Sequence, residues 1–314
     1  MLSGFRFLVT GGAGFIGSHL VDTLLAQGAE LVRVLDDLSN GSRANLSAHV
    51  NNSRFELIEG SITDPTVCEW ACAHITHIAH QAALGSVPRS LREPERFMEV
   101  NVGGFTNLLE AARKAGVRRV VYASSSSVYG DNETLPKQEE RTGRALSPYA
   151  LSKQINEHQA DLWGRVYGLE TVGLRYFNVF GLRQRPDGPY AAVIPRLLRA
   201  ARQTEAPVFF GDGQQSRDFT HVDNVVQANL LALTTANPEA PGQVFNVATG
   251  RQISLNDAWA VIRKQVGHSL DPTYAAARPG DIRHSLADIT KARTLLGYEP
   301  TVDFESGIRR FFLS

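Results

Sequence analysis

The chain has 314 residues, 43% of them hydrophobic and 20% charged, which is the composition of a globular protein that buries a core without disulfides. Its 32 basic and 32 acidic side chains cancel to a formal net charge of zero, so it lacks the basic footprint of proteins that bind nucleic acids or acidic membranes. The two cysteines, Cys68 and Cys72, stand one helical turn apart without a metal-ligand pattern around them. We expect two small buried side chains in a reducing compartment and no metal site.

Membrane and export signals are missing from the sequence as given. No apolar run reaches the ~18 residues of a membrane-spanning helix. The first residues lead directly into a strand, without the apolar region of a signal peptide. We therefore predict a soluble, cytoplasmic protein with neither a membrane nor a nucleic acid as partner.

Strands and helices alternate through the first half of the chain. Short apolar runs predict strands at residues 5–10, 31–35, 55–59, 75–80 and 119–124. Longer periodic segments predict helices at 14–27, 101–115 and 149–166. This βαβ rhythm predicts an α/β fold, a doubly wound parallel sheet with helices on both faces.

The rhythm loosens after about residue 175. The pattern predicts a loop at 181–190, helices at 194–203 and 221–237, a strand at 244–247, and an irregular stretch at 268–286. We predict a first domain over 1–175, to which about 221–247 returns, and a smaller C-terminal α/β lobe mainly within 176–314.

A glycine motif, Gly-Gly-Ala-Gly-Phe-Ile-Gly at 11–17, follows the first predicted strand and opens the first predicted helix. This context is what a dinucleotide-binding (Rossmann) fingerprint requires. Gly11 allows the tight turn, Gly14 lets the backbone approach a pyrophosphate, and Gly17 permits close helix packing. The helix N-terminus offers free N–H groups to the phosphates.

Acidic residues at the end of the second strand indicate which dinucleotide binds. Asp36 lies 19 positions after Gly17, where a carboxylate holds the ribose hydroxyls of NAD. Asp36 or Asp37 would also repel the 2′-phosphate of NADP, although Arg43 stands close enough to accommodate it.

A tyrosine and a lysine four residues apart, Tyr149 and Lys153, share one face of a helix. A phenol normally titrates near ~10, but a nearby ammonium and the positive ring of an oxidised nicotinamide favour the phenolate. Lys153 can therefore make Tyr149 a usable acid/base, and a hydroxyl of the serine run 124–127 can share the proton path. Alone, this pair usually marks an ordinary helix surface; after a dinucleotide motif, the catalytic interpretation is favoured.

These motifs together resemble the extended branch of the short-chain dehydrogenase/reductase superfamily over nearly the whole chain. The resemblance continues in specific strings at 36–39, 80–83, 101–104, 122–130 and 174–181. Members of this branch act mostly on nucleotide sugars. The resemblance implies an NAD-binding Rossmann domain followed by a lobe that binds a UDP-sugar.

The reaction can be narrowed within that branch. The 4,6-dehydratases and UDP-glucuronate decarboxylases carry a carboxylate just after the catalytic serine or threonine, and this chain has Ser126-Ser127-Val128 there. A dehydratase needs an acid to expel water, so this neighbourhood favours a 4-epimerase. UDP-glucuronate 4-epimerases typically have threonine where this chain has Asn178.

The strongest resemblance is to the UDP-N-acetylglucosamine 4-epimerases of bacterial polysaccharide pathways, in strings at 84–90, 146–150, 190–195, 211–219 and 278–285. Glucose-only relatives have a tyrosine where this chain has Ser285, and a serine leaves room for an N-acetyl group. The implied reaction is the reversible conversion of UDP-N-acetylglucosamine to UDP-N-acetylgalactosamine. It would run through a 4-keto sugar, with tightly bound NAD regenerated in each turnover.

The resemblance also implies roles for individual residues. The catalytic set is Ser125, Tyr149 and Lys153. The cofactor set is Gly11, Gly14, Phe15, Ile16, Gly17, Asp36, Asp37, Ser39, Asn40, Gly41, Ser61, Ile62, Gln81, Ala82, Ala83, Asn101, Ser124, Lys153 and Tyr176. The substrate set is Ser86, Ser125, Ser126, Tyr149, Asn178, Ala192, Val193, Arg217, Arg278, Asp281 and Ser285.

Within these sets, Arg217 and Arg278 would pair with the phosphates and Asp281 would face the uridine ribose. Asn178 and the backbone at 192–193 would hold the diphosphate and the uracil. The chain departs from many relatives at Ser61, where they have an aspartate facing the adenine.

Three alternatives remain open. The first is a 4-epimerase of UDP-glucose or UDP-glucuronate, and the second is a net NAD-linked reductase or dehydratase. The third is a non-catalytic NAD-binding regulator, although such proteins usually lose the tyrosine or the lysine that this chain keeps. Relatives pair through two helices, so we predict a homodimer formed by the helices at 101–115 and 149–166.

Overall fold

A computed structural model describes residues 2–185, 192–267, 270–277 and 283–313. The strands in this part of the chain are β1 (Arg6–Thr10), β2 (Leu31–Asp36), β3 (Phe55–Glu59), β4 (His77–His80), β5 (Arg119–Ser125), β6 (Glu170–Tyr176), β7 (Val179–Phe180), β8 (Val208–Phe210), β9 (Ser216–Arg217), β10 (Thr220–His221), β11 (Val244–Val247), β12 (Ile253–Ser254) and β13 (Thr273–Ala275).

The α-helices are α1 (Phe15–Ala26), α2 (Pro65–Cys72), α3 (Val87–Ser90), α4 (Pro94–Phe97), α5 (Gly104–Lys114), α6 (Pro148–Tyr167), α7 (Val193–Gln203), α8 (Val222–Thr234), α9 (Leu255–Val266), α10 (Thr290–Leu296) and α11 (Phe304–Arg310). A π-helical turn, Met98–Gly103, joins α4 to α5. Residues Arg43–His49 and Ser126–Tyr129 each form a short 3₁₀ helix.

Seven strands form one parallel sheet in the order β11-β6-β5-β4-β1-β2-β3. Helices cover both faces, so β2 and β4 are buried along their whole length. The predicted doubly wound α/β sheet is confirmed. Its strand order reverses between β1 and β4, and the crevice at such a switch point is where ligands of these sheets bind.

The second half of the chain leaves the sheet after β6 and returns to it at β11, which pairs in parallel with β6. α8 packs against α1, and residues 287–298 also join the hydrophobic core on that side of the sheet. A separate core forms the smaller lobe, where Trp259 and Phe209 are buried between α7, α9 and α11.

Several predicted boundaries shift for local reasons. The strand predicted at 75–80 begins at His77, because the chain turns at His74, which has a positive φ of 62°. The helix predicted at 221–237 ends at Thr234, since Thr235 is extended ahead of Pro238. The helix predicted at 101–115 is the end of a longer helical run that begins at Pro94.

Both cysteines are buried on α2, as expected, and burial raises the pKa of each thiol to about 12. Within the described residues, no group of three or more histidine, cysteine, aspartate or glutamate side chains is arranged to hold a metal ion. None of the helices described combines the length and the apolarity that crossing a bilayer requires.

Candidate active site

A cavity of about 590 Å³ opens at the carboxyl ends of the central strands. Its wall comes from the β1–α1 loop, the ends of β2 to β6, and the start of α6. The residues of the predicted cofactor set that line it are Gly11, Gly14, Phe15, Ile16, Gly17, Asp36, Asp37, Ser39, Asn40, Gly41, Ser61, Ile62, Gln81, Ala82, Ala83, Ser124, Lys153 and Tyr176.

The glycine loop lies too close to its neighbours for side chains. Gly11 has a φ of +67°, and a Cβ there would lie 2.7 Å from the Ala82 nitrogen. A Cβ on Gly17 would collide with the backbone of Gly11 and Gly12. Gly14 precedes α1 without a capping side chain, and the first turn carries no acidic residue, so its N–H groups suit an anion.

Asp36 ends β2 and is buried at the cavity wall, where its carboxylate braces two loops. Its oxygens accept hydrogen bonds of 2.8 Å from the amides of Ala13 and Leu38. Burial raises the pKa of this carboxyl, and the two amides oppose that rise. Arg43 forms an ion pair with Glu59. This pair engages the positive charge that could otherwise face the 2′-phosphate of NADP.

The predicted catalytic side chains meet where β5 and α6 come together. α6 begins at Pro148, and Ser147 caps it by accepting from the amide of Ala150. Tyr149 therefore stands in the first turn and Lys153 one turn later, both facing the cavity that Ser125 lines from the end of β5. The structure thus brings all three predicted residues together.

Burial acts on both partners of the tyrosine–lysine pair. It raises the pKa of the Tyr149 phenol above its ordinary value, while a hydrogen bond with the Ser125 side chain opposes that rise. Burial lowers the pKa of Lys153 to about 8, although its Nζ donates a 2.8 Å hydrogen bond to the Ala123 carbonyl. The polypeptide by itself therefore leaves the phenol protonated at neutral pH.

A hydrogen-bonded triad builds the cavity wall at the end of β6. The Tyr176 hydroxyl donates to Gln81 Oε1 at 3.0 Å and accepts from Asn229 Nδ2 at 2.8 Å. Gln81 and Asn229 are bonded in turn at 3.1 Å. Asn229, on α8, is a supporting residue that the motifs do not reveal, because it lies 53 residues beyond Tyr176 and on another element.

Asn101, which also belongs to the predicted cofactor set, is buried behind the cavity wall. Its amide accepts from Leu84 N and donates to Leu84 O, at 2.8 and 3.1 Å. It also donates to Ser152 Oγ at 3.0 Å. Because these contacts use its polar atoms, Asn101 orients the cavity-lining loop and does not line the cavity.

A second cavity, of about 320 Å³, adjoins the first at Asn178. Val193 and Arg217 of the predicted substrate set line it. The motifs miss most of its remaining wall, which comprises Arg196, Leu197, Arg199, Ala200, Glu205, Ala206, Pro207, Val208, Phe209, Phe210, Gln215 and Leu255. The aromatic pair at 209–210 before a Gly-Asp-Gly turn is the sequence signal that could have indicated it.

Other predicted substrate residues lie beside the two cavities. Ser86 caps α3 by accepting from the Arg89 amide, next to the lining residue Gly85. Ser126 begins the 3₁₀ turn after β5, and the exposed Ala192 precedes α7.

Ser285 is half-buried, and its amide donates to the Ser216 carbonyl at 3.1 Å, which places it beside Arg217. Arg278 and Asp281 lie outside the described residues.

The chain is similar to known proteins over most of its length. Residues 7–248 match the model of the NAD dependent epimerase/dehydratase family. The chain is 40% identical over 312 residues to UDP-glucose 4-epimerase of Mycolicibacterium smegmatis, with 97% of this chain and 96% of that protein covered.

Two solved structures share the whole fold. UDP-N-acetylglucosamine 4-epimerase from Methanobrevibacter ruminantium, in complex with UDP-N-acetylmuramic acid, matches with a TM-score of 0.91, 36% identity and 98% coverage of each chain. UDP-glucuronic acid 4-epimerase from Bacillus cereus, in complex with UDP-glucuronic acid and NAD, matches with a TM-score of 0.89, 32% identity and 97% coverage of each chain.

The cofactor of the family is NAD, and the tight glycine loop, the uncapped end of α1 and the acidic end of β2 fit it. The match extends over more than half of the chain, and the relatives exceed 30% identity across almost its full length. The protein is therefore a member of the NAD dependent epimerase/dehydratase family.

Proposed function

We propose that this protein is a UDP-sugar 4-epimerase and that its preferred pair of substrates is UDP-N-acetylglucosamine and UDP-N-acetylgalactosamine. The observation that carries the proposal is the convergence of Ser125, Tyr149 and Lys153 in the wall of the cavity that the glycine loop and Asp36 also line. A second cavity, which would hold the nucleotide base, adjoins the first at Asn178. An enzyme that transfers a hydride within one bound sugar needs both sites side by side.

The first cavity would hold NAD along its whole length. The uncapped N–H groups of α1 would bind the pyrophosphate, and Asp36 would accept from the adenosine ribose. Ser61 and Ile62 would border the adenine, and Tyr149 and Lys153 would border the nicotinamide. Bound NAD would supply the hydride acceptor for the sugar C4 and then the hydride donor to its opposite face.

The side chains of Tyr149 and Ser125 would carry out the proton transfer. The Tyr149 oxygen would take the proton of the C4 hydroxyl, with the Ser125 hydroxyl bridging the two, and would give it back after the sugar has turned. The charge of the buried Lys153 ammonium would stabilise the phenolate. The same ammonium would hold the nicotinamide ribose. No other oxidant is consumed, so the reaction is an isomerisation.

The second cavity would anchor the nucleotide while the sugar turns. Its apolar wall at 207–210 suits a base, and Arg217 suits a phosphate. A 4-epimerase must bind two epimers about equally, so strong binding of the UDP group with loose binding of the sugar meets that requirement. Asn178 lies on the boundary of both cavities, where the diphosphate would pass.

The preference for an N-acetylated sugar depends on Ser285. Its amide is hydrogen-bonded to the carbonyl of Ser216 on β9, and the next residue of that strand, Arg217, lines the second cavity. A serine leaves space for the acetamido group at C2, whereas an aromatic ring would fill that space. UDP-glucose remains a smaller substrate that the same space would admit.

The decisive experiment is nuclear magnetic resonance of UDP-N-acetylglucosamine, UDP-glucose and UDP-glucuronate, each incubated with purified protein and no added NAD. We expect fast formation of UDP-N-acetylgalactosamine and slower formation of UDP-galactose. Turnover of UDP-glucose or UDP-glucuronate alone would contradict the sugar preference and leave the mechanism intact. No turnover of any of the three would contradict the proposed function.

The same helices that carry the site would also form a dimer. Beyond the buried side of α6, its outer side exposes Leu151, Leu162 and Val166, with 43%, 42% and 57% of their surface accessible. Residues 151, 162 and 166 recur at helical spacing, which produces an apolar stripe along the helix. We propose a homodimer in which this stripe and the adjacent α5 meet a second copy.

A further inference from the structure

A buried ion pair lies directly behind the proposed catalytic residues. Arg175, at the end of β6, donates to both carboxylate oxygens of Glu157 at 2.9 and 2.8 Å. The two side chains are 5% and 12% exposed, so this pair is largely shielded from water. Bidentate pairs of this kind fix geometry as well as charge.

Glu157 reaches the cavity in two ways. The Ser124 hydroxyl, which belongs to the cavity wall, donates to Glu157 Oε1 at 2.5 Å. Lys153 lies one helical turn before Glu157 on α6, and the two side chains share that face of the helix. The carboxylate therefore stands between a wall residue and the buried ammonium.

Arg175 is itself held from the other side. Its Nη1 donates to the Glu139 carbonyl at 2.9 Å and to the Tyr129 hydroxyl at 3.1 Å. That hydroxyl donates to Asn246 on β11 at 2.6 Å. The network is thus anchored in three elements, and Glu157 cannot turn away from Ser124 and Lys153 without breaking it.

We propose that Glu157 is a positioning residue for the reaction, because its carboxylate fixes the Ser124 hydroxyl and keeps the Lys153 ammonium charged in a buried site. This inference rests on the proposed function only in giving Lys153 a charge-dependent role. It assigns no contact between Glu157 and the substrate or NAD.

The charges around Lys153 support this assignment. Burial lowers the pKa of Lys153 to about 8, and the charge of Glu157 is what opposes that fall. His80, on β4, faces the ammonium, but burial lowers its pKa to about 3 and leaves it neutral. Burial also keeps the phenols of Tyr122 and Tyr149 protonated. Glu157 therefore supplies the negative charge that this buried ammonium needs.

The test measures Lys153 directly in the purified holoenzyme. The chain has only five lysines, so selectively labelled lysine side chains give a simple NMR spectrum, and Lys153→Arg identifies the signal of interest. In Glu157→Gln we expect the Lys153 titration to move to lower pH by about one unit or more. An unchanged titration would overturn the proposal.

A matched control separates this effect from loss of any buried ion pair. Arg119 begins β5 and Glu170 begins β6, so both lie at the far end of these strands from Ser124 and Arg175. They form a similar pair, in which the arginine is 4% exposed. Glu170→Gln should leave the titration of Lys153 unchanged, and an equal shift in this variant would also overturn the proposal. If Glu157→Gln does not fold, Glu157→Asp keeps the charge and must keep the titration near that of the wild type.

Activity provides a second readout. The rate of Glu157→Gln should fall on the alkaline side of the pH profile, with its descending limb moved by the same amount as the Lys153 titration. If the descending limbs of the pH–rate profiles of Glu157→Gln and the wild type coincide, the proposal is contradicted. If the wild type turns over no UDP-sugar, the proposed function fails, whereas the NMR titration still decides the role of Glu157.

Discussion

The Tyr149 hydroxyl is the group on which the proposed chemistry depends, and its surroundings act against its ionisation. Burial raises the pKa of the phenol, and the bond with Ser125 partly offsets that rise. The phenolate must accept the C4 proton, so any loss of stabilisation lowers the fraction of enzyme that can react at a given pH. The hydroxyl of Ser125 is therefore expected to influence the ascending limb of the pH–rate profile.

Ser125→Ala should move the ascending limb of the pH–rate profile to higher pH. The hydroxyl lowers the pKa of Tyr149, so its loss raises that pKa and reduces the phenolate at neutral pH. We expect a fall of about 10- to 100-fold at pH 7, measured as kcat across the pH range. Ser127→Ala is the control, because the Ser127 hydroxyl is buried without a partner among the described atoms; an equal loss there would contradict the assignment.

Ser285→Tyr should remove activity on the N-acetylated sugar and preserve activity on UDP-glucose. A tyrosine ring at this half-buried position would occupy the space proposed for the acetamido group. The measurement is kcat/KM for both sugars, with Ser285→Ala as the control that keeps the space open. Equal losses for both sugars in Ser285→Tyr would show that Ser285 does not distinguish them.

The β1–α1 loop shows what an element adds to its residues. Its glycines let α1 start against the strands and point its free N–H groups into the cavity. The loop is braced by Asp36 through the Ala13 amide, so cofactor binding and local stability depend on the same few contacts. A substitution in the loop should therefore affect both.

Gly11→Ala should abolish NAD retention and destabilise the fold. The new Cβ would meet the Ala82 backbone at 2.7 Å, on a residue whose φ is +67°. Gly28→Ala is a matched control, because its φ of +83° imposes similar strain, about 1–2 kcal/mol, with nothing within 4 Å of the Cβ. NAD per purified chain and the midpoint of thermal unfolding are the measurements; equal NAD content in the two variants would contradict this account.

The sequence predicts elements and motifs well where the signal is local. Apolar runs predict six of the seven strands of the sheet, all except β6, and the position of Asp36 at the end of β2 follows from strand length alone. It predicts less well what depends on contacts between distant elements. The sequence around Asn101 does not indicate that this residue lies behind the cavity wall. Its position depends on how the loop at Leu84 packs against the helical run that begins at Pro94. The Glu157–Arg175 pair joins α6 to β6 and is equally invisible in a one-dimensional pattern.

At the scale of the molecule, the proposed dimer depends on the outer side of α6. Leu162→Glu would place a charge in the centre of the apolar stripe, where a second copy of the chain is proposed to pack. We expect a dimer for the wild type and a monomer for the variant by light scattering after gel filtration. Val50→Glu, at a residue 68% exposed and away from α6, should remain a dimer. A monomeric wild type would refute this arrangement.

The return of the chain to the sheet at β11 also has a consequence for synthesis. β6 borders the open edge of the sheet until Val244–Val247 pairs with it, and roughly 70 residues separate the two strands. At a ribosomal rate of about 5–20 residues per second, that edge stays uncovered for about 4–14 seconds on each nascent chain. An unpaired strand edge is a template for pairing with other chains. This interval is therefore when we expect the newborn protein to depend most on chaperones.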